Sequence, residues 1–470
     1  GNGNRIFYTF NVRNLEISRQ DIGTEEKPIL DAPKELYYYT PDGKISKKID
    51  RNGRTTLYSY DGYGRLLSEI AGVDFKEYSY DAVGNLLTMT DISGTTSRTY
   101  DAEGRVLTKT VPTIGTVMYQ YDIIMGAGEV KETAQTPDGV ITETVYDAVG
   151  RIKKVGSYSI YNPYEYNDIV HYLYNSNGSR QATVYGDGTR EDYFYDAAGR
   201  VTTIIHTDRY GNVLNLYSYT YDSVGNLTAE TNNGQTTHYT YDANGRISSV
   251  TEPNGKITEY EYDQAGNRSV KREVFTGTEP ITTYYTYDAS NRLIIQENDL
   301  GDVIYYNYDA NGNLISESGS ITTVSGSALK WNVIDESENK PPETVSGSAI
   351  GFDVNKLVVG LTDENSTKDT VSGPAIKLVI PNKVNTIIDK TYQYDGFNRL
   401  IEYRQGDTRA YYTYNAEDYR VRKSVFSLDD VLDVLYFYEG DKVLLEADIS
   451  GYITARNTYG THLVSRTVNG

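Results

Sequence analysis

The chain has 470 residues, a formal net charge of −20 and a pI near 4.7. This acidity argues against nucleic acid as a partner, because a phosphate backbone requires a basic surface. Cysteine is absent, which excludes disulfides, thiol catalysis and cysteine-based zinc sites. No run of about 18 apolar residues occurs, so we expect no membrane insertion.

Tyrosine followed by aspartate recurs at a nearly constant interval. The tyrosines of these pairs are residues 60, 80, 100, 121, 146, 195, 221, 241, 262, 287, 308 and 394, so most intervals are 20 or 21 residues. Most copies continue as Tyr-Asp-x-x-Gly, then Arg or Asn, then usually Leu, Val or Ile. A period of this length indicates a repeat architecture, in which each unit buries its apolar surface against its neighbours.

The repeat that begins with an Asn-Gly pair at Asn233 shows the local structure that the pattern predicts. Asn-Gly is a strong signal for a hairpin turn, and an alternating run then places Tyr239 and Tyr241 on one face of a strand. Asp242 can start a type I turn, which Gly245 closes in a left-handed conformation with a bulge. We therefore predict an all-β fold of tandem hairpins that pair into one long antiparallel sheet, with almost no helix. We also expect the tyrosines of successive copies to stack on one face.

The repeated motif residues are assigned a structural role, because a catalytic residue would be singular and these are periodic. The aspartates are predicted to cap the turns, and the arginines after the glycines to pair with carboxylates or stack on tyrosine rings. The motif residues on which this prediction rests are Tyr60, Asp61, Gly64, Tyr80, Asp81, Gly84, Tyr195, Asp196, Gly199, Tyr221, Asp222, Gly225, Tyr241, Asp242, Gly245, Tyr262, Asp263, Gly266, Tyr308, Asp309 and Gly312.

The spacing of the motif divides the chain into four parts. Residues 1–38 are predicted to form a degenerate first repeat, and residues 39–316 the main array. Tyrosine is absent from residues 309–391, and over residues 317–390 we predict an inserted β subdomain. A poorly ordered low-complexity loop is the alternative. Residues 391–470 resume the array.

The predicted insertion has a repeat of its own. Thr-Val-Ser-Gly begins at Thr323, Thr344 and Thr370, and each copy precedes alternating apolar residues that indicate a strand. Trp331, the single tryptophan, lies in the first of these runs. A buried Trp331 would form the core of a small subdomain, whereas an exposed one would offer a platform for a sugar. It is the one candidate ligand contact that the sequence offers.

No catalytic residue, metal site or cofactor is predicted. The four histidines lie far apart, and neither a His-x-x-x-His pair nor a Gly-x-Ser-x-Gly nucleophile turn occurs. Loops at Asp42 and Asp187 offer oxygen ligands for Ca²⁺, but the sequence lacks an EF-hand pattern. A pair of carboxylates for glycoside hydrolysis stays open, because aspartate and glutamate are abundant.

The motif Tyr-Asp-x-x-Gly-[Arg/Asn]-[Leu/Val/Ile] at this spacing resembles the Rhs/YD-repeat family, over about residues 1–320 and 391–460. That family includes bacterial wall-associated and Rhs toxin proteins, the C components of Tc toxins and the animal teneurins. The resemblance implies a β-sheet strip wound spirally into a hollow shell, which encloses a C-terminal toxic polypeptide in the toxin members. The family's self-cleaving core and its toxic domain are not found, so we expect a piece of a longer protein, truncated before that core.

Two hypotheses for the function follow. In the first, the chain is a non-catalytic shell fragment of a secreted or cell-surface bacterial protein. It then encloses or displays a polypeptide such as a toxin, and its partner is the remainder of its own polypeptide. In the second, the chain is a surface adhesion module that binds cell-wall or cell-surface glycans through exposed tyrosines and residues 317–390. An enzyme with an unrecognised carboxylate site is the least favoured reading.

Overall fold

A computed structural model describes residues 5–23, 32–124, 128–324, 332–334, 375–377, 383–428 and 430–468. Within these ranges the chain consists of β-strands and turns, without helix. The prediction of an all-β fold made of tandem hairpins is confirmed. Because the described residues contain no helix, none of them forms a helix that could cross a membrane.

The strands follow one another at short, regular intervals. Strands β1 to β13 are Arg5–Phe10, Glu16–Gly23, Lys34–Tyr39, Ile45–Ile49, Thr55–Tyr60, Leu66–Ala71, Asp74–Tyr80, Leu86–Asp91, Gly94–Tyr100, Val106–Val111, Gly115–Ile124, Glu129–Gln135 and Val140–Tyr146. Strands β14 to β26 are Ile152–Ser159, Asn162–Tyr174, Arg180–Tyr185, Arg190–Tyr195, Val201–Thr207, Val213–Tyr221, Leu227–Asn232, Gln235–Tyr241, Ile247–Thr251, Ile257–Tyr262, Arg268–Val274, Ile281–Tyr287 and Leu293–Asn298. Strands β27 to β38 are Val303–Tyr308, Leu314–Val324, Asn332–Ile334, Ala375–Lys377, Lys383–Tyr394, Leu400–Gln405, Thr408–Tyr414, Arg420–Phe426, Val431–Glu439, Lys442–Ala447, Ile453–Tyr459 and Leu463–Val468.

Hydrogen bonds join 36 of these strands into one sheet, in which neighbours in sequence pair antiparallel. Strands β29 and β30 form a separate two-stranded sheet. Strand β28 pairs with β31, so the ladder of the array continues between residues that lie on either side of the predicted insertion. Trp331 and most of residues 325–382 lie outside the described residues. The division into domains therefore stays a prediction.

Each repeat alternates two kinds of turn. The turns that follow the Tyr-Asp tyrosines lie along one edge of the sheet, which we call the A edge. The turns at the other strand ends lie along the opposite B edge. At the B edge, Asn233 and Gly234 both have positive φ, 48° and 82°, as a two-residue type I′ turn requires. The Asn-Gly hairpin predicted there is confirmed.

The described chain divides into two compact units, one of residues 3–236, 307–316 and 390–470, the other mainly of residues 237–306 and 317–389. The first unit contains a core cluster that includes Val117, Phe437 and Leu445, each completely buried. A smaller cluster is formed by Val155, Val170 and Tyr172. In the second unit Ile304 and Ile388 are the apolar side chains that are less than a tenth exposed among its described residues.

Candidate functional site

The aspartate of the repeat organises its A-edge turn, as Asp61 shows. One carboxylate oxygen accepts hydrogen bonds from the backbone N–H groups of Tyr63 and Arg65, each 2.9 Å long. The other oxygen accepts a hydrogen bond of 2.6 Å from Nε of Arg65. Gly64 has φ of +83° and donates its N–H to the carbonyl of Asp61. The carboxylate is thus engaged by the turn itself.

The same turn recurs at the other predicted motif positions. The side chain four residues after the aspartate is asparagine or arginine in each case, and it donates to the second carboxylate oxygen. These pairs are Asp81 with Asn85, Asp196 with Arg200, Asp222 with Asn226, Asp242 with Arg246, Asp263 with Asn267 and Asp309 with Asn313. The glycines Gly84, Gly199, Gly225, Gly245, Gly266 and Gly312 all have positive φ. For Asp196, the backbone N–H and then the side chain of Arg200 lower the pKa below its ordinary value.

The motif tyrosine fastens neighbouring strands at the A edge. Tyr60 donates its hydroxyl to the carbonyl of Ile45, 3.0 Å away, and Ile45 is the first residue of the adjacent strand β4. Such a carbonyl lies where the ladder ends and would otherwise lack a partner within the sheet. Equivalent bonds run from Tyr80 to Leu66, Tyr195 to Arg180, Tyr221 to Val201 and Tyr262 to Ile247. Tyr241 and Tyr308 end β21 and β27 in the corresponding positions.

Arginines link each turn to the next tyrosine. The guanidinium of Arg65 lies 4.9 Å from the ring centroid of Tyr80, and its Nη1 donates a hydrogen bond of 2.7 Å to the carbonyl of Asp81. The same stacking joins Arg200 to Tyr221 at 4.7 Å. We expected successive motif tyrosines to stack on each other, and this was wrong. They lie on alternate strands, about 10 Å apart, and in copies with an arginine, such as Arg65 and Arg200, the guanidinium lies against the ring.

Three A-edge turns late in the first unit dock onto three B-edge turns of its early strands. We call these contacts the seam. The B-edge turns are residues 50–54, 71–74 and 91–94, and the A-edge turns that dock on them are residues 309–313, 395–399 and 415–419. In each docked turn the second residue donates its backbone N–H to a side-chain oxygen of the B edge. The pairs are Ala310 with Asn52 at 3.0 Å, Gly396 with Asp74 at 2.8 Å and Ala416 with Asp91 at 2.6 Å.

Ion pairs flank the third contact of the seam. Lys76 Nζ lies 2.7 Å from the carboxylate of Asp418, and Arg98 lies 2.7 Å from that of Glu417. The hydroxyl of Tyr78 lies 3.2 Å from the carbonyl of Ala416, to which it donates. Lys76 is almost completely buried. A charge removed from water in this way is held by its partner, so this pair depends on both elements being docked.

The apolar core cluster continues the docking beyond the seam. Phe437, Leu445 and other side chains of β35 to β37 pack against Val117 and its neighbours on β11. Beside this cluster, the buried ammonium group of Lys109 donates a hydrogen bond of 2.5 Å to the carbonyl of Tyr438. Burial lowers the pKa of this ammonium group. The last strands are thus held by both polar and apolar contacts with strands more than 300 residues earlier.

A family model for the RHS repeat matches residues 39–72, 80–113, 221–257 and 241–279. The chain carries RHS repeats. The matched residues contain A-edge turns of the kind described above, with Asp61, Asp81 and Asp242 as turn caps. No curated protein matches this chain at a significant level of sequence similarity.

Several solved structures resemble this chain at low sequence identity. The TcdB2-TccC3-Cdc42 crystal structure is 15% identical with a TM-score of 0.47, over 99% of this chain and 31% of that one. The TcdB2-TccC3-TEV structure is 12% identical with a TM-score of 0.46, over 98% and 25%. A Tc holotoxin pore of Photorhabdus luminescens is 14% identical with a TM-score of 0.31, over 98% and 27%. This chain spans less than a third of the length of each.

The RHS motif identifies the turns but not the seam. Alanine or glycine also follows the aspartate in turns that dock on nothing, as at Gly62 and Ala82, so the docked turns have no distinguishing local signal. Asp74 and Asp91 likewise have the composition of ordinary turn residues. Among the described residues, no group of three or more His, Cys, Asp or Glu side chains is placed to hold a metal ion. Trp331 lies outside them.

Proposed function

We propose that the RHS array is a non-catalytic wall segment of a secreted or cell-surface bacterial protein, and that the wall encloses or displays a polypeptide such as a toxin. Its partner is then the remainder of its own polypeptide. The observation that supports this is the seam. It joins opposite edges of one β-sheet strip through residues 258, 322 and 325 positions apart in sequence.

The physical argument starts from the strip. A sheet whose A edge docks on its own B edge has turned back on itself, and the right-handed twist of strands favours such coiling. The motif carboxylates that an enzyme would use are instead bound in turns, as at Asp61 and Asp196. A wall with a self-sealed edge is suited to keeping a polypeptide apart from its surroundings.

The test is the shape of the chain in solution, measured by small-angle scattering and electron cryomicroscopy. A hollow, curved envelope wider than a packed globule of 470 residues is the expected result. A compact particle or a straight rod would contradict the proposal. Phe437→Ser removes a completely buried ring beside the seam and should widen the envelope, whereas Phe426→Ser, at a position 41% exposed, should leave it unchanged.

An adhesion module that binds glycans is the second candidate, and exposed tyrosines favour it. Tyr161 and Tyr164, near the β14–β15 turn, are 81% and 96% exposed, and Tyr210 is 81% exposed in another B-edge turn. Exposed rings can stack on sugars, whereas motif tyrosines such as Tyr80 and Tyr221 lie against arginines. Glycan-array binding that is lost in Tyr164→Ala but kept in Tyr63→Ala, another exposed tyrosine, would support this candidate. Absence of any glycan signal would remove it.

A further inference from the structure

A polar cleft of about 290 Å³ lies in the first unit, beside the first contact of the seam. Strands β2 to β4 and the turn after β4 form one side, and the A-edge turns at residues 309–313 and 395–399 form the other. The side chains that line it are all charged or amide groups, namely Arg19, Glu35, Lys48, Asp50, Arg51, Asn311, Asn313 and Asn398. A lining without an apolar side chain suits a small polar group rather than a hydrophobic ligand.

The two carboxylates of the cleft already have partners. Lys48 Nζ lies 2.5 Å from Glu35. Burial disfavours the charged form of Glu35, but the hydrogen bond and charge of Lys48 outweigh it and leave the pKa below its ordinary value. The carboxylate of Asp50 accepts a hydrogen bond of 2.8 Å from the backbone N–H of Arg54 and one of 2.7 Å from Nδ2 of Asn311.

Within the residues that the structure describes, the two arginines of the cleft lack a carboxylate partner, although the guanidinium of Arg19 lies 5.8 Å from the ring centroid of Tyr8. Neither Arg19 nor Arg51 has a carboxylate within ion-pair distance in the described part of the chain. Arg19 lies directly across from Glu35 in the β2–β3 ladder, yet Glu35 pairs with Lys48 instead. Nε of Arg19 is buried and has no hydrogen-bond partner. A guanidinium N–H that is removed from water without a partner is unfavourable, and a ligand oxygen would satisfy it.

Asn398 adds a third donor. Its side-chain oxygen accepts from Nδ2 of both Asn311, at 2.8 Å, and Asn313, at 3.0 Å. These two bonds fix the orientation of its amide, so that Nδ2 of Asn398 has no partner within the described residues and can donate to a group in the cleft.

We propose that this cleft binds a single carboxylate group, held by the guanidinium groups of Arg19 and Arg51 and the amide of Asn398. The cleft contains three cationic and two anionic side chains, so its local charge is +1 in a chain of net charge −20. One monoanion balances this charge. The planar guanidinium fork matches the two oxygens of a carboxylate. A doubly charged oxyanion would match the site less well, because it would lie beside the carboxylates of Glu35 and Asp50. This site is independent of the proposed wall function.

The carboxylate can belong to a small acid or to an acidic side chain of a polypeptide, and titrations of the whole chain distinguish these sources. The probes are sodium acetate, a short neutral peptide with one central glutamate, and the same peptide with glutamine instead. Ligand-observed NMR gives each affinity. Equal affinity of acetate and the glutamate peptide indicates a small acid, whereas tighter binding of the peptide indicates a polypeptide. The glutamine peptide should not bind.

Variants assign the binding to the cleft. Arg19→Gln and Arg51→Gln should each weaken binding by about tenfold or more, the scale of one charge-assisted contact. Arg51→Lys, which keeps the charge and loses the fork, should weaken it less. Arg409→Gln, a remote and exposed control of equal charge change, should have no effect. Circular dichroism spectra that match the unmodified chain confirm that the variants are folded. Affinity that is unchanged in the properly folded Arg51→Gln, absence of saturable binding, or tighter binding of sulfate than of acetate would overturn the proposal.

Discussion

The carboxylate of Asp91 accepts a 2.6 Å hydrogen bond from the backbone N–H of Ala416, a residue 325 positions further along the chain. Its other oxygen accepts from the backbone N–H of Ser93 in its own turn, at 2.7 Å. One buried side chain therefore shapes a B-edge turn and binds an A-edge turn at the seam. The seam consists of few such contacts, so each is open to a direct test.

Asp91→Ala should destabilise the folded chain, because it leaves the buried N–H of Ala416 without an acceptor. The expected loss is about 1–3 kcal/mol in the free energy of unfolding, the cost of an unsatisfied buried donor. Chemical denaturation measures the loss, and hydrogen exchange should show faster exchange at Ala416. Asp101→Ala is the control, since Asp101 caps only its own turn. Equal exchange at Ala416 in both variants would show that Asp91 does not hold the seam.

Gly396→Ala should open the second contact of the seam. An added Cβ would lie 2.8 Å from Cβ of Ala71, closer than side chains pack, and the backbone of Gly396 is not in the left-handed region. Overpacking of this kind costs about 1–3 kcal/mol. Gly62 occupies the same position in an A-edge turn, where an added Cβ meets nothing within 4 Å. Gly62→Ala should therefore be neutral or slightly stabilising in thermal melting. A similar loss in both variants would place the cost in the turn rather than in the seam.

Tyr80→Phe removes the hydroxyl that donates 3.0 Å to the carbonyl of Leu66 while keeping the ring beneath Arg65. We expect a loss of about 0.5–1.5 kcal/mol, as for one hydrogen bond. Tyr63→Phe removes a hydroxyl from a ring that is 88% exposed, and it should have no effect. Urea denaturation measures both. If Tyr80→Phe is as stable as the unmodified chain, the tyrosine hydroxyls do not fasten the strands.

The stability of the array should fall at acid pH. The backbone N–H and side chain of Arg200 lower the folded-state pKa of Asp196 below 3.8, and Arg246 acts in the same way on Asp242. A lowered folded-state pKa means that the contribution of the carboxylate is complete above pH 3.8 and is lost as the pH falls through the lowered value. Denaturation midpoints should therefore decrease below about pH 4.

Substitution tests the origin of this pH dependence. Asp196→Asn combined with Asp242→Asn should reduce the slope of the denaturation midpoint between pH 3 and pH 5, because these side chains no longer titrate. Asp407→Asn is the control, since Asp407 is exposed and has no hydrogen bond through its side chain among the described residues. A slope that is the same in the double variant and in the control would mean that other groups cause the acid sensitivity.

Local interactions explain what could be predicted from the sequence. The Tyr-Asp-x-x-Gly period and the Asn-Gly pair at Asn233 specify turns, and turns at a fixed spacing specify antiparallel hairpins whatever the rest of the chain does. The all-β fold and the RHS repeats follow from this. The stacking of successive tyrosines was predicted wrongly, because these tyrosines lie on alternate strands and the motif arginine, such as Arg65 at Tyr80, stacks on the ring instead.

The tertiary structure decided the contacts between distant repeats. Asp74 and Asp91 have the same composition as other turn residues, and only the tertiary structure brings Gly396 and Ala416 to them. The tertiary structure also brings Asn398 beside Arg19 and Arg51 to form the polar cleft. The formation of each turn depends on residues that are neighbours in sequence, so the sequence by itself determined the turns of this protein. Docking of one turn on another joins residues 258, 322 and 325 positions apart, and no single repeat encodes it.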